Sequence, residues 1–137
     1  MGGIRVLLVD DHEILRDGLK NLLERSSSIQ VVASVGTAGE ALRRVEEVAL
    51  DVAVIDLSIG KDDGVELLSA MKALKPDLST LMLTMHLDEE SVIRALDAGA
   101  DGYMGKIATQ EELIRAVTAV GKGESYLQPS LAPLSRI

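Results

Sequence analysis

The strongest constraint on this chain is the alternation of short apolar runs with longer amphipathic stretches. Five runs rich in β-branched residues have the length of buried strands, and each is followed by a stretch with apolar residues at helical spacing. This alternation predicts repeated βα units and therefore a parallel sheet covered on both faces. The predicted strands are Ile4–Val9, Gln30–Val35, Val52–Leu57, Thr80–Thr84 and Gly102–Met104, and the predicted helices are Glu13–Arg25, Ala38–Val48, Val65–Leu74, Glu89–Ala98 and Gln110–Val120.

The chain length and the loss of this rhythm near the end indicate the domain organisation. A chain of 137 residues fits one domain. Residues 123–137 lose the βα pattern and hold two of the three prolines. We therefore expect one α/β domain over residues 1–122, followed by the start of a linker over 123–137.

Composition excludes several classes of function. The net charge of −8 and the aromatic content of 1% disfavour direct binding of nucleic acid, which needs a positive surface or a stacking platform. The absence of cysteine excludes disulfides, thiolate catalysis and cysteine-based zinc sites. The first apolar run is too short for an export signal, and no segment is apolar enough to span a membrane, so the sequence predicts a cytoplasmic protein without a membrane partner.

Polar and charged residues follow the ends of four predicted strands. Asp10 and Asp11 follow the first strand, Asp56 lies at the end of the third, Thr84 ends the fourth and Lys106 comes just after the fifth. All five then lie at the carboxyl edge of the sheet, where ligands bind in open α/β sheets. With the strand order 2-1-3-4-5, known from flavodoxin-like proteins, the first and third strands are neighbours and the three carboxylates meet.

Such a cluster favours a particular chemistry. Three neighbouring carboxylates repel one another unless a cation neutralises them, and oxygen ligands of this kind suit Mg²⁺. A carboxylate is also a nucleophile toward phosphorus and forms an aspartyl-phosphate. The Lys106 ammonium and the Thr84 hydroxyl are suited to contact the phosphoryl oxygens and to offset their charge.

Single residues of the set also have plain structural explanations. A lone aspartate at a strand end is more often a helix N-cap, so Asp11 is a candidate cap for the helix near Glu13 and Asp63 for the third helix. Thr37 with Glu40, and Thr109 with Glu112, predict capping boxes at two further helix starts. His12 and His86 have no partner at metal-ligand spacing, and we expect no metal role for either.

Four segments carrying these residues resemble the receiver domains of two-component response regulators. The segments are VLLVDDH, VAVIDLS, LMLTMH and GADGYMGK, in the order that the family has them, and the resemblance covers residues 3–122. Together they are highly specific, although each is weak alone. LTMH, AGADGY and the trailing GESYLQPSLA are most similar to the subfamily with a C-terminal helix-turn-helix of the NarL, FixJ or LuxR type.

The resemblance implies a five-stranded receiver fold with five helices and a role for each reactive residue. It implies that Asp56 accepts a phosphoryl group from a sensor histidine kinase, that Thr84 and Lys106 bind this group, and that Tyr103 is the switch aromatic. It also implies a Mg²⁺ site made by Asp10, Asp11, Asp56 and the backbone carbonyl of Ser58. Such a protein is a switch that catalyses its own phosphotransfer and dephosphorylation, not an enzyme with a separate substrate.

One residue departs from the family pattern. Receiver domains usually have a proline four residues after the acceptor, and this chain has Gly60 there. Glycine is more permissive than proline, so we expect a less rigid loop around Ser58.

Several alternatives for the function stay open. In a transcription regulator, DNA would be bound by a helix-turn-helix domain absent from this chain, and a homodimer formed on phosphorylation is compatible with this. A stand-alone receiver would act in a phosphorelay through protein contacts. A Mg²⁺-dependent aspartyl phosphohydrolase would need a second carboxylate at position 58, which is serine. A flavin-binding module would need aromatic residues to sandwich the ring and a hydroxyl-rich phosphate loop after the first strand, and that loop is instead DDHE.

Overall fold

The computed structural model describes residues 3–106 and 110–134. Six parallel strands form the main sheet, and five α-helices connect or cover them. The strands are β1 (Ile4–Val9), β2 (Ile29–Val35), β3 (Val52–Ile55), β4 (Ser79–Thr84), β5 (Gly102–Gly105) and β6 (Tyr126–Leu127), and the helices are α1 (Glu13–Leu23), α2 (Ala38–Glu47), α3 (Gly64–Leu74), α4 (Glu89–Asp97) and α5 (Gln110–Gly121).

The strand order is β2-β1-β3-β4-β5-β6, with parallel pairing throughout. The predicted α/β flavodoxin-like receiver fold is confirmed, and so is the order 2-1-3-4-5 for its five strands. The predicted count of five strands is one too low, because β6 adds to the edge beyond β5. This strand has two residues, which is too short to leave a periodic signal in the sequence.

Successive residues of the central strands point to opposite faces, and each face builds its own core. In β1, Leu7 and Val9 pack with the helices α2, α3 and α4, whereas Val6 and Leu8 pack with α1 and α5. The central strands are buried on both faces, and this explains their nearly continuous apolar sequences. The predicted placement of five α-helices on both faces is therefore confirmed, and a sixth, 3-10 helix was not predicted.

Two of the capping predictions have a definite outcome. The Thr37 hydroxyl accepts a hydrogen bond from the Glu40 amide at 3.2 Å at the start of α2, as the capping box requires. Asp63 caps α3 by accepting from the Val65 amide at 2.8 Å. The predicted capping residue Thr109 lies outside the described residues.

The segment after α5 turns back onto the edge of the sheet. Tyr126 and Leu127 pair with β5, and a 3-10 helix over Pro129–Leu134 follows, with Leu131 buried in the core beside α4. The domain boundary at residue 122 stays a prediction. The described part of the expected linker packs against the domain, because its leucines supply an apolar face.

Candidate functional site

Three of the reactive side chains lie one residue beyond a strand of the sheet. The amide of Asp10 donates to the last residue of β2 at 3.1 Å, that of Asp56 to the last residue of β1 at 3.1 Å, and that of Lys106 to the last residue of β4 at 3.0 Å. The hydrogen-bond ladder of the sheet thus continues into the site and fixes these backbones. The side chains leave the same carboxyl edge, as the sequence predicts.

The carboxylates come together as one cluster. Single ligand atoms of Asp10, Asp11, His12 and Asp56 all lie within 4.8 Å of one another. Asp10 and Asp56 are buried, whereas Asp11 and His12 are exposed at the mouth. The cluster therefore has a closed inner side and an open outer side.

Lys106 joins the two buried carboxylates. Its ammonium donates to Asp10 Oδ2 and to Asp56 Oδ2, both at 2.8 Å. The side chain of Lys106 is 10% exposed, and those of Asp10 and Asp56 are 4% and 7% exposed. Such a short, shielded contact is much stronger than an ion pair at the surface.

The surroundings hold this pair in its charged form. Burial acts to raise the pKa of Asp10, but hydrogen bonds from Lys106 and from the amide and ring of His12 outweigh it, so this pKa lies below its ordinary value. Burial acts to lower the pKa of Lys106, but its hydrogen bonds to Asp10 and Asp56 outweigh this and the pKa is raised. Both groups are therefore ionised at neutral pH.

Asp11 does not cap α1. Its Oδ2 accepts a hydrogen bond from the Gly60 amide at 2.9 Å, and the first residue before α1 is His12, which makes no side-chain cap. The sequence alternative of an Asp11 N-cap is therefore wrong. Its carboxylate faces the cluster instead, with Oδ1 at 3.2 Å from Nδ1 of His12.

Gly60 lies at the turn of a small antiparallel hairpin made by Ser58–Ile59 and Asp62–Asp63. Its φ of +60° is in the left-handed region, which glycine adopts and proline does not. A proline here would also lack the N–H that Asp11 accepts. The departure from the family pattern therefore supplies a contact that the usual residue excludes.

Ser58 begins this hairpin, two residues after Asp56. Its amide is 3.4 Å from Asp56 Oδ1, and this places its backbone at the site. The role of its carbonyl as a metal ligand stays a prediction.

Thr84 lines a cavity of about 260 Å³ together with Lys106, Met85 and Gly105. It is buried, and its hydroxyl accepts a hydrogen bond from the His86 amide at 3.2 Å. The roles of Thr84 and Lys106 toward a phosphoryl group stay predictions.

Tyr103 does not contact the carboxylates. It is fully buried on β5, and its hydroxyl donates to the carbonyl of His86 in the segment between β4 and α4. Burial, followed by the charges of Asp88 and Asp56, raises its pKa. The tyrosine therefore links β5 to the segment that follows Thr84.

Two residues at the site were not predicted from the sequence. The ring of His12 contacts Asp10 Oδ1 at 3.0 Å, although we expected no metal role for this residue; its position directly after two aspartates was the available signal. Gln128 accepts a hydrogen bond from the Gly105 amide at 2.8 Å, next to Lys106, and nothing in the sequence pattern indicates it. His86 does not belong to the carboxylate cluster, and its backbone amide donates a hydrogen bond to the Thr84 hydroxyl.

The donor set suits a hard divalent cation. Within the described residues, the ion pairs to the three carboxylates come from Lys106 and His12, and His12 carries charge only when protonated. One permanent positive charge therefore faces three negative ones. Carboxylate oxygens at an open edge are the ligands that Mg²⁺ prefers, so the residues fit this ion.

Comparison with known proteins assigns the family. The family profile of the response regulator receiver domain matches residues 6–118. The chain belongs to the response regulator receiver family. The receiver is 41% identical over 124 residues to the DNA-binding transcriptional activator DevR/DosR of Mycobacterium tuberculosis strain H37Rv, covering 90% of this chain and 57% of that protein.

Two further proteins extend this relationship. The receiver is 37% identical over 128 residues to the response regulator protein VraR of Staphylococcus aureus strain NCTC 8325, covering 93% of this chain and 61% of that protein. It superposes on the crystal structure of a LuxR-family two-component response regulator from Aurantimonas sp. SI85-9A1 with a TM-score of 0.91 and 34% identity, covering 96% of this chain and 94% of that one. The resemblance to the NarL and LuxR type is confirmed.

The comparisons also narrow the alternatives. The chain spans about three fifths of the curated relatives, 57% of DevR/DosR and 61% of VraR. The family of these proteins is that of signalling switches, which disfavours the phosphohydrolase and flavin alternatives. No helix in the described part of the receiver is long and apolar enough to cross a membrane.

Proposed function

We propose that this receiver is a signalling switch that accepts a phosphoryl group on Asp56 from a sensor histidine kinase. The observation that carries this proposal is the shared ammonium of Lys106, which contacts the buried carboxylates of Asp10 and Asp56 and leaves an excess of negative charge at an open edge. A purely structural ion pair needs no third carboxylate. A phosphoryl-transfer site needs one nucleophile, one fixed cation and room for a metal.

The transfer needs little from the protein beyond position and charge. An Asp56 carboxylate oxygen attacks phosphorus, the new O–P bond forms as the P–N bond of the kinase phosphohistidine breaks, and the electron pair of that bond leaves with the imidazole, which takes a proton. Lys106 holds the attacking side chain in place and remains beside the oxygens that gain charge. Thr84, at the adjoining cavity, offers its hydroxyl to the same group.

The proposed cofactor is Mg²⁺, held by Asp10, Asp11, Asp56 and the carbonyl of Ser58. When bound, the ion supplies positive charge for the phosphoryl oxygens. The chain itself holds the carboxylate oxygens that would bind the ion. His12 and Lys106 orient the carboxylate of Asp10, and the Gly60 amide orients that of Asp11.

The acceptor is tested with a small phosphodonor such as phosphoramidate. With Mg²⁺, intact-mass spectrometry should find one added phosphoryl group, and none on Asp56→Asn. The matched control is Asp51→Asn, which alters an aspartate at the opposite edge of the sheet and should be labelled as the wild type is. Undiminished labelling of Asp56→Asn would remove the assignment.

We infer that Thr84 and Tyr103 transmit the phosphorylated state. A Thr84 hydroxyl drawn toward the phosphoryl oxygens gives up the His86 amide, and the Tyr103 hydroxyl holds the carbonyl of the same residue. The segment before α4 is therefore held at one residue by both side chains, and a change at Thr84 shifts the population of its positions.

Thr84→Ala should uncouple this response, with Thr84→Ser as the control that keeps the hydroxyl. In NMR spectra, phosphorylation should move the Tyr103 and α4 signals of the wild type and of Thr84→Ser, but not those of Thr84→Ala. Equal movement in all three proteins would contradict the relay.

The output that we propose is transcription control in the cytoplasm. It rests on the likeness to DevR/DosR, a DNA-binding transcriptional activator, and on a net charge of −8, which disfavours DNA binding by this chain itself. We expect this chain not to bind promoter DNA. A longer product with a helix-turn-helix domain should bind it, as a dimer formed after phosphorylation. A reading frame that stops after Ile137 would favour the alternative, a phosphorelay receiver that acts on another protein.

A further inference from the structure

One arginine outside the acidic cluster contacts the backbone of an aspartate within it. Arg16 lies in the second turn of α1, and its Nη1 donates to the carbonyl oxygen of Asp10 at 2.6 Å. Its Nε donates to the hydroxyl of Ser34 near the end of β2 at 2.9 Å. The guanidinium thus connects a helix, the neighbouring strand and the loop that carries two carboxylates.

This contact completes the hydrogen bonding of the Asp10 backbone. The Asp10 amide donates to the Val35 carbonyl, and the Asp10 carbonyl accepts from Arg16. With both polar groups of its backbone held, the residue has little freedom to turn about its φ and ψ. The direction of its carboxylate, and that of Asp11 after it, follows from this.

Gly36 gives an independent indication that the position of this guanidinium matters. A Cβ at residue 36 would lie 2.9 Å from Nη1 of Arg16. The φ of Gly36 is not in the left-handed region, so the backbone conformation does not require glycine here. The space that glycine leaves is occupied by the end of the Arg16 side chain.

We propose that Arg16 is a positioning residue for the metal site, and that Gly36 leaves the space this role requires. The inference rests on the proposed Mg²⁺ site and adds a residue to it. Arg16 does not touch the metal or the phosphoryl group; it fixes the backbone from which Asp10 and Asp11 project. Residues that orient metal ligands in this way commonly contribute about tenfold or more to affinity.

Four proteins test the role by calorimetric Mg²⁺ titration: wild type, Arg16→Lys, Arg16→Gln and Gly36→Ala. Lysine keeps the charge and loses the two-way geometry, so both Arg16 variants should raise the Mg²⁺ dissociation constant about tenfold. Gly36→Ala keeps the arginine and displaces its flexible end, and should raise the constant about threefold. The control Arg5→Lys alters an arginine paired with Asp51 on the opposite edge and should bind Mg²⁺ as the wild type does.

The double variant Arg16→Gln/Gly36→Ala separates this role from general damage. If Gly36 acts only through the arginine, adding Gly36→Ala to Arg16→Gln leaves the dissociation constant unchanged. The amide nitrogen of Asp11 and the carbonyl of Asp10 belong to one peptide group. In NMR spectra of the metal-free proteins, the amide signal of Asp11 should therefore move in each single variant. This readout depends on the hydrogen bond and not on activity.

Wild-type affinity in a folded Arg16→Lys protein would overturn the role of Arg16, and full additivity in the double variant would overturn the role of Gly36, since the two residues would then act independently. An Arg16→Lys protein that fails to fold leaves Gly36→Ala to decide in the same way. The proposed function fails separately: a wild type that does not bind Mg²⁺ removes the metal site and this role together, whereas a binding wild type with unaffected variants removes only this role.

Discussion

Among the described residues, lysine pairs with aspartate at two opposite edges of one sheet, and the two places differ in charge balance. At the amino edge, Lys72 donates to Asp101 Oδ2 at 2.9 Å, and the same oxygen accepts from the amide and the hydroxyl of Thr80 at 2.8 and 3.3 Å. One positive charge meets one negative charge. At the carboxyl edge, Lys106 serves two carboxylates, and a third stands beside them.

The comparison shows that an ion pair between lysine and aspartate does not by itself identify a reactive site. The distances at both edges are nearly equal, but Asp101 has its hydrogen bonds satisfied by a strand and a helix and holds β4, β5 and α3 together. The Lys106 site is more buried and retains an excess of negative charge, which is costly without a further cation. We therefore interpret the Lys72–Asp101 pair as a structural contact, and we propose the phosphoryl-transfer role for the Lys106 site.

The largest expected difference between the two edges is in phosphorylation. Lys106→Met should slow labelling of Asp56 by about a hundredfold or more, since removal of one fixed charge donor from a transfer site has that effect. Lys72→Met should leave the rate within about twofold, because it is remote from the reacting atoms. Stopped labelling reactions followed by intact mass measure both, and equal slowing would erase the distinction.

The second difference is in stability and its dependence on pH. Without metal at pH 7, Lys106→Met should lose about 3 kcal/mol of unfolding free energy, because two buried carboxylates are left without their cation. Wild-type Asp10 has a lowered pKa, so its stabilising contribution is present above about pH 4 and is lost as pH falls through the lower folded value.

In Lys106→Met, Asp10 loses the hydrogen bond and the charge of Lys106 that lower its pKa, so this pKa is higher than in the wild type and the variant loses less stability as pH falls below about 4. Urea unfolding at several pH values should show the gap in unfolding free energy between the two proteins narrowing as pH falls through and below about 4. A gap that stays constant, or that widens toward acid, contradicts the charge account.

A smaller effect is expected when the third carboxylate is removed. Asp11→Ala should weaken Mg²⁺ binding about tenfold and slow labelling, because a hard ligand is lost. Its stability should change by no more than about 0.5 kcal/mol, since relief of like-charge repulsion offsets the lost hydrogen bond to the Gly60 amide. Calorimetric titration beside Asp62→Ala as control provides the comparison, and identical affinities would count against Asp11 as a ligand.

The smallest effect on Mg²⁺ binding and on labelling is expected at the amino edge. Asp101→Asn should cost about 1 kcal/mol of stability, because a partly exposed ion pair is lost while the amide oxygen still accepts hydrogen bonds. Its Mg²⁺ affinity and labelling rate should equal those of the wild type. A loss of Mg²⁺ affinity in a folded Asp101→Asn protein would show that the two edges are not independent.

The sequence was sufficient for the parts of this molecule that follow from periodicity. The apolar runs predict the five central strands, and the parallel sheet then brings Asp10, Asp56 and Lys106 to one edge, because residues after parallel strands share an edge. The sequence could not decide whether Asp11 and Asp63 cap a helix or face the carboxylate cluster, since both lie just before a helix. The structure makes a cap of Asp63 and leaves Asp11 facing the cluster.

The remaining parts depend on side-chain reach and on short pairings that have no period. The reach of Arg16 to the Asp10 carbonyl depends on a rotamer and on the space at Gly36. The hydrogen bond from the Gly60 amide to Asp11 depends on the conformation of a turn, and the residues of that turn allow several conformations. The two-residue strand β6 forms because Tyr126 finds a free edge beside β5, a tertiary cause that local sequence does not contain.

The most direct test of the central claim is a Mg²⁺ titration followed by backbone NMR of the wild-type receiver. The account predicts saturable shifts, with one ion per chain, at the amides of Asp10, Asp11 and Lys106, and none at Thr80 and Asp101. Absence of saturable shifts at the carboxyl edge, or shifts of equal size at both edges, would contradict the claim that the excess charge around Lys106 makes the site.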